Sequence, residues 1–147
     1  MDIKKILELW EEDSKISGTS LDEDSRKTPQ LHAKYLGYLA DAKMQKTRAE
    51  MQQKSLLKDK WMYYNGKMDE DEMNSKGWDY DPLGGNLVMK GDMGKIYDAD
   101  LDIQKSEERV VYWKTVCETL TEIVNNLNWR HQTIGNMIRW KMFESGS

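Results

Sequence analysis

Cysteine, histidine and proline are nearly missing from this chain: one, two and two residues among 147. The single Cys117 excludes an intrachain disulfide and suits a reducing compartment. Even with His32 and His131 it falls short of the ligand count of an ordinary zinc centre. Cys117 and His131 form the one conceivable nucleophile pair, but Cys117 occupies a heptad core position, where a small buried residue is the natural reading. Gly84-Gly85 is not followed by Gly-Lys-Ser/Thr, so there is no phosphate-binding loop. No apolar run approaches the ~18 residues of a membrane span, and the start MDIKKILELWEED lacks a signal-peptide core. The expectation is a soluble, intracellular protein with no membrane contact, no metal, no cofactor and no active site. Apolar residues make up only 38% of the chain and charged ones 33%, which fits an extended helical protein that completes its core by self-association.

What the chain does have is charge in blocks. Residues 1–26 sum to −4, residues 27–67 to +6, residues 68–108 to −8 and residues 109–147 to +2, for a total of −4. A polyanion responds to the local field, because charges beyond ~8 Å are largely screened at physiological salt. The basic block ends in Leu57-Lys58-Asp59-Lys60-Trp61-Met62-Tyr63-Tyr64-Asn65-Gly66-Lys67, where cations alternate with aromatic rings. Single-stranded nucleic acid is held by that combination, phosphates by the cations and bases by the ring faces.

Apolar spacing predicts an all-α protein. Ile3, Ile6, Leu7 and Trp10 mark a first helix over residues 2–13, and Ser17-Gly18-Thr19-Ser20 breaks it. Thr28 and Pro29 read as the N-cap and first position of a long helix that runs to Tyr64. At ~100° per residue, Leu31, Tyr35, Tyr38, Ala42, Ala49, Leu56 and Tyr63 share one side of it. Lys43, Lys46, Lys54 and Lys58 share another. Asn65-Gly66 ends the helix, with Gly66 suited to a left-handed cap. Residues 68–100 read as a long acidic loop with a short strand over residues 86–89. Ile103, Val110, Trp113, Cys117, Leu120, Val124 and Leu127 keep a 3,4 spacing that defines a coiled-coil seam, widened by Val116 and Ile123. Asn125-Asn126-Leu127-Asn128 reads as a break before a last helix over residues 129–143. The expected organisation is a helical region over residues 1–100, holding the basic helix and the acidic loop, and an oligomerisation region over residues 101–147.

The alternative to a binding face is a solvated helix surface, but only Asp41, Glu50 and Asp59 are near enough in sequence to neutralise the lysines. Lys43, Lys46, Lys54 and Lys58, with Lys67 and the stacking candidate Trp61 at the end of the run, are the DNA-binding candidates. Tyr63 falls on the apolar side and is assigned to the core. Val110, Trp113, Cys117, Leu120, Val124 and Leu127 are the oligomerisation candidates. Asp69-Glu70-Asp71-Glu72 lacks the alternating ligands and turn glycine of a calcium loop and reads as solvated acid. Asp98, Asp100 and Asp102 read as the set-up of the next helix. A coiled-coil adaptor whose basic face docks an acidic partner, and an RNA-binding regulator, share these features.

Leu31-His32-Ala33-Lys34-Tyr35-Leu36, Leu57-Lys58-Asp59-Lys60 with Tyr63-Tyr64-Asn65-Gly66-Lys67, Tyr112-Trp113, and Arg139-Trp140-Lys141-Met142-Phe143-Glu144 occur in that order. Together they resemble the UvsY family, the recombination mediators of T4-like bacteriophages. Residues 78–93 depart from the family pattern. The resemblance implies a non-enzymatic protein of the infected host's cytoplasm that binds single-stranded DNA and loosens the phage single-stranded DNA-binding protein from it. It also implies that the protein helps a RecA-like recombinase load and acts as a ring-like homo-oligomer of about six or seven subunits. By position in the motif, Lys58 and Lys60 are implied as phosphate contacts, with Asp59 as an unusual acid between them.

Overall fold

The computed structural model describes residues 2–146, and among them every regular element is an α-helix. These are α1 (Ile3–Asp13), α2 (Leu21–Tyr64), α3 (Glu70–Lys76), α4 (Met93–Ala99) and α5 (Leu101–Glu144). Asp2 caps α1 by accepting the Lys5 N–H at 2.8 Å, so the first helix runs as its apolar stripe predicts.

The second helix starts eight residues before the predicted Pro29. Asp22, Glu23 and Asp24 crowd its first turn, where carboxylates meet the positive end of the helix dipole, and Leu21 is buried there. Pro29 therefore lies inside α2 and removes the N–H that would bond the Ser25 carbonyl. One residue earlier, the Thr28 hydroxyl donates to the Asp24 carbonyl at 3.1 Å. At the other end Gly66 adopts φ 71°, and the Lys67 N–H reaches back to the Met62 carbonyl at 2.8 Å. This is the left-handed cap that Gly66 predicts.

Residues 68–100 are more ordered than predicted. Asp69 caps α3 through the Glu72 N–H at 2.8 Å, and Glu70, Asp71 and Glu72 fill that helix's first turn. Residues 86–89 form no strand. The predicted break at Asn125-Asn126-Leu127-Asn128 is also absent, because α5 is continuous. Asn125, Asn126 and Asn128 are all exposed, and a helix interior tolerates exposed asparagine at modest cost.

The chain divides into two compact units, residues 1–45 with 113–147 and residues 46–112. In the first unit Tyr35, Val116, Leu120 and Leu127 are essentially inaccessible. Trp10 meets Tyr35 edge-on with ring centroids 5.4 Å apart. Asp13 accepts from the Tyr35 hydroxyl at 2.8 Å and from Lys34 at 2.7 Å. Burial alone would raise the Asp13 carboxyl, but these bonds and the nearby charges of Lys34 and Arg130 hold it below its ordinary value. The buried Arg130 donates to the carbonyl of Asp13 at 3.2 Å, serving an orphan acceptor at the α1 C-terminus.

The predicted seam is mostly occupied inside the chain. Leu120, Val124 and Leu127 are buried within one copy, together with Val116 and Ile123, while Val110, Trp113 and Cys117 are half-buried. Burial within one copy takes Leu120, Val124 and Leu127 out of an oligomerisation surface and leaves Val110, Trp113 and Cys117 partly exposed. A heptad pattern reports an apolar face but not whose helix covers it.

In the second unit, Tyr63, Met68 and Met73 form a small core against which Tyr64 and Trp78 pack. The turn after α2 and helix α3 thus fold back on the last turns of α2.

Candidate nucleic-acid interface

Lys54, Lys58 and Trp61 follow one another at i, i+4 and i+7, so they share one face of α2. All three are exposed, and neither lysine joins a salt bridge among the described residues. Trp61 keeps 42% of its surface in solvent. The left-handed turn at Gly66 brings Lys67 back so that its Nζ lies 4.6 Å from the Trp61 ring centroid. Cation and ring are therefore preassembled, a geometry worth ~0.5–1 kcal/mol at exposed sites. Asp59, the acid within the motif, lies 3.5 Å from Lys76, which offsets its repulsion of an anion. Lys46 is half-buried and 3.7 Å from Glu50, a weak (i, i+4) pair that a phosphate can compete with. Lys43 is exposed on the part of α2 that belongs to the other unit.

Lys60 is different, and its reading as a surface phosphate contact is corrected. Only 3% of the residue is accessible. Its Nζ lies 3.0 Å from Asp100 and 2.9 Å from Asp102, and 3.9 Å from the Trp78 ring centroid. Asp100 also accepts the Tyr64 hydroxyl at 2.5 Å and, through its other oxygen, the Ile103 N–H at 3.0 Å. It thereby caps α5, the role predicted for this acidic cluster. Burial alone would push the Asp100 carboxyl up, but the bonds from Tyr64, Ile103 and Lys60 hold it below its ordinary value. Burial, then the bond to Asp100, push the Tyr64 hydroxyl upward. The charge of Lys60 is thus neutralised internally.

The sequence carried the signal. Leu56, Lys60 and Tyr63 stand at i, i+4 and i+7, which puts Lys60 on the apolar side with Ala49. What the spacing does not reveal are the partners, Asp100 at the cap of α5 and Asp102 in its first turn, 40 and 42 residues further along the chain.

The second unit thus presents an exposed cation–aromatic face on a helix braced from behind by a buried ion pair. Residues 9–147 match the family described as "Recombination, repair and ssDNA binding protein UvsY", and the chain belongs to that family. It is 24% identical over 146 residues to the recombination protein uvsY of Enterobacteria phage T4, covering 99% of each chain. It is similar in fold to a crystal structure of the bacteriophage T4 recombination mediator protein UvsY in lattice type II. That match has a TM-score of 0.82 and 24% identity, covering 99% of this chain and 98% of that one. A second lattice form, type IV, matches with a TM-score of 0.80 at 22% identity, covering 98% and 99%.

Proposed function

We propose that this protein is a recombination mediator that binds single-stranded DNA through Lys54, Lys58, Trp61 and Lys67, with Lys46 and Lys43 extending the cationic track. It promotes loading of a RecA-like phage recombinase onto DNA covered by single-stranded DNA-binding protein, in the cytoplasm of the infected host, and catalyses no reaction. The observation that carries this reading is the exposed Trp61 ring with Lys67 against it and two unpaired lysines on the same helix face. Such a face holds phosphates and stacks bases without reading base edges.

One copy offers few contacts, so the reading includes self-association into a ring-like homo-oligomer. Leu120, Val124 and Leu127 of the α5 seam are buried within one copy, whereas the far end of that helix is exposed. Trp129, Ile138, Trp140, Met142 and Phe143 are exposed, and the Trp140 and Phe143 rings stack 5.6 Å apart. A second copy is the occupant we assign to this end. Linked binding sites gain ~10²–10⁴ in affinity through effective concentration alone.

Fluorescence anisotropy with single-stranded DNA, duplex DNA and RNA across a salt series tests the reading. The mediator binds single-stranded DNA at physiological salt, and Lys54→Ala with Lys58→Ala weakens it. Absence of single-strand binding, or equal binding after both lysines are removed, overturns it. Recombinase loading is tested by whether filament assembly on covered single strands accelerates when the protein is added.

A further inference from the structure

A cavity of about 340 Å³ opens in the second unit where α2 ends. It lies near the small end of the ~300–1,000 Å³ range of ligand pockets. Met68 and Met73, both buried, contribute thioether and methylene surface, and Tyr80 stands beside it with 73% of its surface in solvent. Gly66, which lines the cavity, directly precedes Lys67, the residue that stacks on Trp61.

The cavity's polar groups are selective. Asn65 donates its amide to the Trp61 carbonyl at 2.7 Å, and Asn86 donates its amide to the Leu83 carbonyl at 2.9 Å. No hydrogen bond among the described residues reaches either side-chain oxygen, so each remains an acceptor. No lysine or arginine lines the cavity, and Asp81 does. An anion is therefore repelled from it, while a neutral planar ring bearing an amino group is accommodated.

The wall is held in an unusual backbone shape. Asp81 adopts φ 52° although Pro82 follows it, and a residue before proline is normally confined to extended conformations. Its carboxylate accepts the Gly85 N–H at 2.7 Å, and Gly84 and Gly85 take φ 61° and 82°. A conformation of this kind persists only where its surroundings over-determine it, and such sites concentrate at ligand clamps.

We propose that this cavity is a nucleobase pocket that takes one base of the bound strand, with Tyr80 stacking on it and Asn86 and Asn65 accepting from its exocyclic amine. The phosphate of that nucleotide stays outside, on Lys67. The proposal rests on the single-strand reading above. Cytosine presents an N4 amino donor where thymine presents an O4 acceptor, so the pocket discriminates between two pyrimidines of similar stacking strength.

The test uses the full chain with (dC) and (dT) oligomers of equal length at several salt concentrations. The parent binds (dC) several-fold more tightly than (dT). Asn86→Ala equalises the two, and Tyr80→Ala costs about tenfold on both. The salt slope is unchanged in both variants, because no phosphate contact is lost. Both residues are exposed, so the variants fold. Equal binding of (dC) and (dT) by the parent, or parental affinity in Tyr80→Ala, overturns the pocket and leaves the Lys58 face standing. A parent that binds neither oligomer overturns the pocket and the single-strand reading together.

Discussion

The last turns of α2 carry two lysines two residues apart with opposite fates. Lys58 stands in solvent on the face that holds Trp61, whereas Lys60 is buried between Asp100, Asp102 and the Trp78 ring. Along a helix, two positions turn the side chain through ~200°, enough to move it from one face to the other. Charge alone therefore says little about a lysine's role. The face decides whether it meets a phosphate or fixes the helix that presents its neighbour. The fifth helix repeats the lesson with apolar residues: Leu120 and Leu127 are fully covered within the chain, while Trp140 and Phe143 remain exposed.

The contrast along α5 predicts the largest effect. Leu120→Asp puts a carboxylate at a wholly buried site, where an unpaired charge is strongly unfavourable. The chain should lose its folded first unit rather than dissociate into folded subunits. Leu120→Ala should cost ~2–5 kcal/mol in denaturant unfolding. A Leu120→Asp protein that keeps its circular dichroism and merely falls in sedimented mass would restore the seam as an interface.

Next comes the buried pair. Lys60→Ala leaves Asp100 without its cation and should destabilise by ~3–5 kcal/mol. Adding Asp100→Asn should recover part of that loss, a coupling that a double-mutant cycle reads directly. The pH dependence has a definite sign. The Asp100 carboxyl is held below its ordinary value of 3.8, so its contribution is fully present above that pH. It is lost as pH falls through the depressed folded value. Thermal unfolding from pH 6 to pH 2 should show this loss in the parent and a smaller one in Asp100→Asn.

At the exposed end of α5, Trp140→Ser with Phe143→Ser should leave the circular dichroism of each copy unchanged, since both side chains are solvated within one copy, and should remove only the stability that association adds. Sedimentation should show smaller species, and single-strand affinity should fall more than tenfold as linked sites are lost. Smaller still is Trp61→Ala, which should cost ~1–3 kcal/mol for each stacked base and remove fluorescence quenching on binding.

Much of this was legible beforehand. The apolar side of α2 is buried at Tyr35, Ala42, Ala49 and Tyr63, as its spacing predicts, and Gly66 caps the helix in the left-handed region. Other features were not, and three of them show the physical reason. Pro29 suggests a helix start, but an acidic first turn and a buried Leu21 outweigh one missing N–H. The acidic run at Asp69 looks like loop, yet carboxylates favour a helix N-terminus as well as solvent. Lys60 sits on the apolar side by count, but its partners Asp100 and Asp102 lie far along the chain, where periodicity does not reach.

The central claim, that Lys58 touches the strand and Lys60 holds the helix, is tested most directly by the salt dependence of single-strand affinity. Measured below the melting temperature of each protein, Lys58→Ala should lower the slope of log affinity against log salt by ~0.7 per binding site, as one phosphate contact is lost. Lys60→Met should lower the melting temperature and leave the slope where it was. A Lys60→Met protein with a reduced slope, beside a Lys58→Ala protein with an unchanged one, would contradict the account.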